Sequence, residues 1–349
     1  MSEPIRPDVS VVVVIYNGRD HLAECVSALK ADTASPPSEV WLVDNASPDG
    51  SGEVAETLAA RWPNVHALHN PTNRGYAGGV NSALPHLRGE YVAVLNPDCV
   101  VEPGWLAEAV SFLQANPQAG GLSPLILLRG DGRINSAGQE VHVTGLGFNR
   151  WLWRERPADL SQPIRVSGLH GAAFVMPRAV LTHMQGWDEA GFLYHEDVEL
   201  SWSLQLMGYD VYCVPRSVVH HHYHLSMYPE KLFLLERNRL ALLLTHLGPP
   251  ARLALAPLLL VTELLMWGYC LLRGPGFLQA KAASYRWVWS QSQRLAQRRA
   301  RIEALRRRSD WQVLRGLSWN YAWDQFLSLG RERGPSRRQP VGGLPVELD

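Results

Sequence analysis

Lysine is nearly missing from this chain. Lys30, Lys231 and Lys281 are its only lysines among 33 basic residues, so the positive charge is almost all arginine. Acidic residues also number 33 and the formal net charge is zero. That excludes a polycation, and nothing global argues for a nucleic-acid partner. Cysteine is scarce too. Cys25, Cys99, Cys213 and Cys270 show no paired spacing. They read as free thiols of a reducing compartment rather than a disulfide framework. The opening MSEPIRPDVS carries no apolar signal region, so the catalytic part is expected in the cytosol. The glycines around Gly75 fit neither a Walker loop nor a dinucleotide fingerprint. What remains is a chain of 349 residues, long enough for one large domain and an appendage.

The first half reads as alternating strands and helices. Val9–Tyr16 (VSVVVVIY) is a β-branched run of the kind buried on both faces of a parallel sheet. Arg19–Ala31 places Leu22, Val26 and Leu29 at helical spacing. Strands follow at Glu39–Asp44 and Val65–His69, with a helix over Glu53–Trp62 between them. Asn73–Gly79 reads as a glycine-rich bend and Val80–Leu87 as a short helix. Tyr91–Asp98 (YVAVLNPD) is an apolar strand stopped by Pro97, which has no N–H for the ladder. A helix over Pro103–Ala115 and a strand over Gly120–Leu128 complete the half. This spacing predicts an α/β fold, a doubly wound, mostly parallel sheet flanked by helices. Asp44 and Asp98 both close their strands, so both are expected at the C-terminal edge, where open α/β sheets bind ligands.

Residues 131–162 have glycines and tryptophans but few apolar runs, and read as a hairpin or flap. Gly171–Met176 and Tyr209–Val214 are expected strands. Pro177–Met184, Glu196–Met207 and Glu230–His246 are expected helices. Leu253–Leu272 is a run of 20 residues whose one charge is Glu263, a length that matches a bilayer. Arg252 and Arg273 flank it, and one crossing serves two basic flanks poorly under the positive-inside rule. A membrane-embedded hairpin or an interfacial helix with both ends cytosolic fits better, with a buried helix of a soluble protein as the alternative. Ser284–Ser309 is a basic helix suited to an anionic leaflet. The Pro/Gly-rich 334–349 is expected to be a disordered tail.

Several of these residues can carry chemistry. Asp98 can hold a divalent metal against a diphosphate. Asp44, beside Asn45 and Ser47, can accept from a base N–H, or simply form an Asx turn. Tyr16, ending the first strand next to Asn17, offers an aromatic face to a base. In Asn73-Arg74-Gly75, glycine lets backbone approach a ligand and Arg74 can fork onto phosphate. Glu196 and Asp197 open a helix, where carboxylates are favoured anyway, or one of them serves as a general base. His220, His221, His222 and His224 form a tract that can ligate metal.

Six stretches, VSVVVVIYNGRDHL, VDNASPDGS, NRGYAGGVNSAL, YVAVLNPDCVVEPGWL, GFLYHEDVELSW and PEKLFLLERNRL, occur in this order between Val9 and Leu240. Together they resemble the family 2 glycosyltransferases with the GT-A fold, in particular the bacterial rhamnosyltransferase-like branch. The resemblance implies an inverting transfer of a sugar from a nucleoside diphosphate (dTDP-, UDP- or GDP-linked) to a hydroxyl of a lipid-linked or glycan acceptor. It assigns Asp44 to the base, with Tyr16, Asn17, Asn45, Asn73, Arg74, Gly75, Asn96 and Gly171 around the nucleotide-sugar. It gives the base to Asp197, with Glu196 as helper, and Mg²⁺ or Mn²⁺ to Asp98, with His221 as the likeliest further ligand. The chain departs from the family at Asn96, where an Asp is usual, and at Ser203, where Trp-Arg is usual. The implied domains are 1–246 for the transferase, with a nucleotide half over about 1–128 and an acceptor half over about 129–246, then 247–333 for a membrane-associated helical extension. The implied location is the cytoplasmic face of the cell membrane. A sugar-nucleotide nucleotidyltransferase and a catalytically degenerate membrane-bound scaffold are the rival readings.

Overall fold

A computed structural model describes residues 7–223 and 226–326. His224 and the expected tail 334–349 lie outside the described residues. The chain forms two compact units. The first takes in residues up to 139, then 149–192 and 209–223, and the second 140–148, 193–208 and the remainder after 223.

The first unit is built on β1 (Val9–Ile15), α1 (Arg19–Ala31), β2 (Ser38–Asp44), α2 (Ser51–Arg61), β3 (Val65–His69), α3 (Gly75–Ala83) and β4 (Tyr91–Leu95). All seven residues of β1 and all five of β4 are buried, as strands covered on both faces require. β1 pairs in parallel with β2 and β4, and β2 with β3. Ile15 stands opposite Asp44, and Val13 opposite Leu95. The three strand ends therefore come out side by side, with Asn96–Asp98 continuing past the end of β4.

The rest of this unit adds β5 (Cys99–Val101), α4 (Trp105–Ala115), β6 (Ala119–Leu128), β7 (Ile134–Ser136), and later β10 (Ile164–Val166), β11 (Ala173–Pro177), α5 (Arg178–Met184) and β12 (Asp210–His221). Between them β8 (Gln139–Val141) and β9 (Gly147–Asn149) pair as a separate two-stranded sheet. The large sheet has the order β10-β12-β6-β11-β4-β1-β2-β3. It is parallel from β3 to β4 and mixed beyond, because β11 runs antiparallel to both β4 and β6.

Three local expectations are refined. The glycine-rich bend is the start of α3, whose Gly79 has no room for a Cβ: one would lie 2.5 Å from Val14 of β1. Of the hairpin or flap expected over residues 131–162 the hairpin is present, as β8 paired with β9, while β7 joins the large sheet beside β6. The strand expected to stop at Val214 runs on to His221 through a register shift between Val214 and Val218, a bulge that absorbs Pro215.

The second unit is helical: α6 (Glu196–Leu206), α7 (Pro229–His246), α8 (Pro249–Arg273), α9 (Pro275–Ser290), α10 (Ser292–Leu305) and α11 (Asp310–Leu314). Proline opens α7, α8 and α9, where its missing N–H is not needed. The basic helix expected over Ser284–Ser309 is α9 and α10, broken at Gln291. Val198, Trp202 and Leu206 of α6 pack with Leu242, Leu243, Leu247 and Leu255. Beside this apolar core lies a buried ionic cluster. Arg239 holds Glu236 at 2.8 and 2.9 Å and also bonds Glu263. Lys281, fully buried, bonds Glu236 and reaches Glu263 at 2.7 Å. α7 thus groups with the helices that follow it.

Candidate active site

The loops after β1 and β2 are knitted together. Asn17 has φ 57°, and its N–H reaches Ser47 Oγ at 3.3 Å. The N–H of Gly18 donates to Ser51 Oγ at 3.0 Å and that of Arg19 to Asp49 at 3.1 Å. Tyr16 sits half-buried at the root of this loop. Asp44 is buried and accepts from the Ser47 N–H at 3.2 Å, an Asx turn that points its other oxygen at His69, 3.5 Å away. Asn45 is a bracket: its amide donates to Gly75 O at 2.8 Å and accepts from Asn70 at 2.7 Å.

The Asn73-Arg74-Gly75 loop is tied to the chain itself. Asn73 Oδ1 accepts from the Gly75 N–H at 2.9 Å. Arg74 forks onto Glu189 at 2.6 and 2.7 Å and bonds Ser82 at 2.7 Å, so its guanidinium grips a carboxylate of the protein. The backbone that approaches Gly75 is that of Phe192, whose carbonyl accepts from the Tyr76 N–H at 2.7 Å. Gly171 lies two residues before β11, not within it, and its carbonyl accepts from the Tyr76 hydroxyl at 2.8 Å.

Asn96–Asp98 is a turn, closed by the Cys99 N–H on Asn96 O at 3.2 Å. The turn feeds β5, which pairs with the end of β12 so that Cys99 faces His221 in register. This pairing sorts the histidine tract. His221 Nε2 stands 3.4 Å from Asp98 Oδ1. His220 turns to Glu102 at 2.7 Å, and His222 lies 3.4 Å from Glu24 with its ring against His21. His221 Nδ1 bonds Asn135 Oδ1 at 2.8 Å. An amide oxygen only accepts, so Nδ1 carries a hydrogen and Nε2 is the nitrogen turned to Asp98, bare whenever the ring is neutral. Asp98 Oδ1 is buried and makes no conventional hydrogen bond among the described residues. Burial opposes its charge, but the neighbouring His221 outweighs that and holds the carboxyl below its ordinary value.

An anionic oxygen and a bare imidazole nitrogen facing each other beyond hydrogen-bond length suit a shared divalent cation. Asp98, Cys99 and His221 bring their donor atoms within 4.8 Å of one another. Burial beside Asp98 drives the Cys99 thiol well above its ordinary pKa, and its S–H points to Ala172 O at 3.6 Å. The residues present therefore fit an oxygen-nitrogen pair from Asp98 and His221, with Cys99 as packing.

In the second unit, Glu196 and Asp197 open α6. The residues leading in are strained, with positive φ at Phe192, Tyr194 and His195. His195 is buried and bonds Gly145 O at 2.7 Å. Asn238 holds the carbonyls of Leu193 and Tyr194 at 3.2 and 2.8 Å. Glu196 Oε2 is buried without a hydrogen-bond partner among the described residues. Burial, with the charges of Asp197 and Glu199, pushes Glu196 up to about 8. A carboxyl that holds its proton at neutral pH can donate a hydrogen bond, and Asp197 stands beside it in the first turn of α6. Ser203, where the family has arginine, bonds His246 at 2.9 Å inside the core.

Residues 10–183 match the family model for glycosyl transferase family 2. The N-acetylglucosaminyl-diphospho-decaprenol L-rhamnosyltransferase of Mycobacterium tuberculosis is 32% identical over 238 residues, covering 61% of this chain and 76% of that protein. The chain belongs to glycosyl transferase family 2. Among solved structures, GalNAc-T7 with UDP, GalNAc and Mn²⁺ superposes with a TM-score of 0.56 at 18% identity, over 70% of this chain and 48% of that one. The Pyrobaculum calidifontis mannosyltransferase with GDP-Man and Mn²⁺ gives 0.51 at 19% identity, over 86% of each. These likenesses establish the GT-A fold of the glycosyltransferase. Its sequence did not reveal Asn135, which orients His221 from 86 positions away, or Glu189, which occupies Arg74. His170, also missed, is a buried imidazole 6.2 Å from the His221 ring, and burial and His221 hold it near 3, hence neutral. Its place in LHGAAF, just before a strand that starts at this edge, was the available signal.

Proposed function

We propose that this glycosyltransferase moves a sugar from a nucleoside diphosphate to a hydroxyl of a lipid-linked or growing glycan acceptor of the cell envelope, with inversion. The observation that carries the reading is the Asp98–His221 pair at the C-terminal edge of the parallel strands. Asp44, which closes β2 two strands along from β4, and Asn45 just after it suit the base, with Tyr16 stacking on it and Asn17 beside it. Asn73, Arg74, Gly75, Asn96 and Gly171 belong to the same donor half, over about 1–128 and the start of β11. Arg74 reaches phosphate by exchanging Glu189 for it. A divalent ion, Mg²⁺ or Mn²⁺, held by Asp98 and His221 would offset the charge that the departing diphosphate develops.

Asp197 takes the proton of the acceptor hydroxyl. The oxygen attacks the anomeric carbon as the bond to the diphosphate breaks, and one in-line displacement inverts that carbon. Glu196, protonated, donates a hydrogen bond beside it. The rhamnosyltransferase relative, named for a diphospho-decaprenol acceptor, supports rhamnose as the sugar and a lipid-linked acceptor. Such an acceptor suits an enzyme that works against the cytoplasmic face of the cell membrane.

Thermal shifts against dTDP-, UDP- and GDP-sugars, with Mg²⁺ or Mn²⁺ and then with chelator, test the donor and the metal together. Stabilisation by one donor only with metal, lost in Asp98→Ala, is the expected result. Donor hydrolysis that disappears in Asp197→Ala while donor binding stays completes it. A protein that binds no nucleotide-sugar with either metal is a scaffold, and the reading fails.

A further inference from the structure

α8 has two unlike faces. Ala251, Leu255, Thr262, Met266 and Cys270 are buried within the second unit. Leu253, Leu260, Leu264 and Leu271 are 77, 60, 65 and 70% exposed. At roughly 100° per residue these four fall within about 40° of one line along the helix. They form one apolar stripe about 27 Å long. Pro257 and Trp267 fall on the same side and are exposed. Between Leu253 and Leu272 the one charged side chain is Glu263, and it bonds Lys281, Arg239 and Tyr285.

The rim of the stripe has the composition of a lipid interface. Trp267 stacks on Tyr285 with ring centroids 6.2 Å apart. Trp289, one turn beyond Tyr285 on α9, is 84% exposed, with Arg286 exposed beside it. Arg273, at the end of α8, lies with its guanidinium over Tyr269 and Phe277. Aliphatic centre, aromatic shoulders and arginine edges are what the boundary of an anionic leaflet selects.

We propose that this outer face of α8, with the Tyr285–Trp289 shoulder of α9, docks in the plane of an anionic lipid surface. This deepens the membrane reading given above and is independent of the donor assignment. The helix does not cross the bilayer. Crossing would carry Glu263 to the midplane and strip it from Lys281 and Arg239, leaving Glu263 unpaired in lipid and two buried cations to share Glu236 alone. Docking in plane keeps that cluster intact, and Arg252 and Arg273 both stay at headgroup level.

The test is co-sedimentation of the full-length protein with phosphatidylglycerol-containing and with pure phosphatidylcholine vesicles. Binding to the first, weaker binding to the second, and release by alkaline carbonate are expected. Leu260→Glu with Leu264→Glu lowers vesicle affinity about a hundredfold, with the nucleotide-sugar thermal shift unchanged. Trp289→Phe lowers the quenching by lipids brominated near the headgroup, with Trp267 carrying what remains. Carbonate-resistant insertion, vesicle binding unaffected by the double variant, or a stable dimer that the double variant dissociates without any vesicle binding would each overturn the proposal. A vanished nucleotide-sugar shift with vesicle binding intact would instead count against the donor reading alone.

Discussion

The Phe192 carbonyl oxygen lies where a Cβ on Gly75 would be: the separation would be 2.0 Å. Gly75 also has φ +69°, and its neighbour Tyr76 donates its N–H to that same carbonyl. The glycine of the Asn-Arg-Gly loop is thus required by the strained segment that precedes α6. Gly132 provides the control, with φ +70° and nothing within 4 Å of a Cβ. Gly132→Ala should cost about 1 kcal/mol, the left-handed penalty alone. Gly75→Ala should cost roughly 3 kcal/mol or more, because backbone must move. Chemical denaturation of the two variants checks the difference, and equal losses would mean that Phe192 is easily displaced.

Asn135 makes no claim on substrate, yet it fixes which nitrogen of His221 is bare. Replacing a partner of this kind typically weakens metal affinity or activity about 10- to 100-fold. Asn135→Ala should therefore raise the Mn²⁺ concentration needed for half-maximal donor turnover, with kcat at saturating metal little changed. Asn135→Asp, which still accepts from Nδ1–H, should restore most of the affinity. A uniform loss of kcat in both variants, with no shift in metal dependence, would argue that Asn135 only packs.

The parallel half of the sheet was legible because its strands are short, mostly apolar runs broken by turn residues, as in the valine-rich Val9–Ile15 and the VWLV core of Ser38–Asp44. Asp44 and Asp98 at one edge followed directly from where those runs stop. β5 was not legible: three residues after Pro97 give no period, and the strand exists because β12 offers it an edge. Alternation in β12 separates His221 from His220 and His222, but which of the two faces meets Asp98 depends on a bulge that no local signal announces. Glu236 and Arg239 stand three apart in α7 and pair within it. That Glu263 and Lys281 complete the cluster depends on helix packing. It also turned an apolar run with one awkward acid into a helix with an inside and an outside.

Glu196 bears on both pH and mechanism. Its carboxyl titrates near 8 in the folded protein against an ordinary 4.5. Below 4.5 both folded and unfolded states hold the proton and nothing is lost. Between 4.5 and 8 the unfolded chain gives its proton up and the folded one keeps it, so stability falls as pH rises; above 8 the loss is complete. Glu196→Gln should consequently raise Tm most at alkaline pH and leave it unchanged in acid. The same variant should retain most of its turnover at neutral pH, whereas Asp197→Asn should lose about 100- to 10,000-fold. A large loss in Glu196→Gln with turnover kept in Asp197→Asn would make Glu196, not Asp197, the proton acceptor.

The cluster beneath α8 sets the opposite slope in acid. Burial alone would raise Glu236, but Arg239 and Lys281 outweigh it and hold the carboxyl at about 2. Depression below the ordinary 4.5 means that its stabilisation is fully present above 4.5 and disappears as pH falls toward 2. For a shift of this size the amount is roughly 3 kcal/mol. Urea unfolding should accordingly show a steep loss of stability across that window. Lys281→Ala leaves Glu236 and Glu263 with Arg239 as their common partner and should cost about 3 to 5 kcal/mol at neutral pH. Glu236→Gln with Lys281→Met removes both charges, and should be milder than the single lysine change while flattening the acid slope. If the double variant were the less stable one, the cluster would be a source of net stability and not chiefly the device that fixes which face of α8 turns inward.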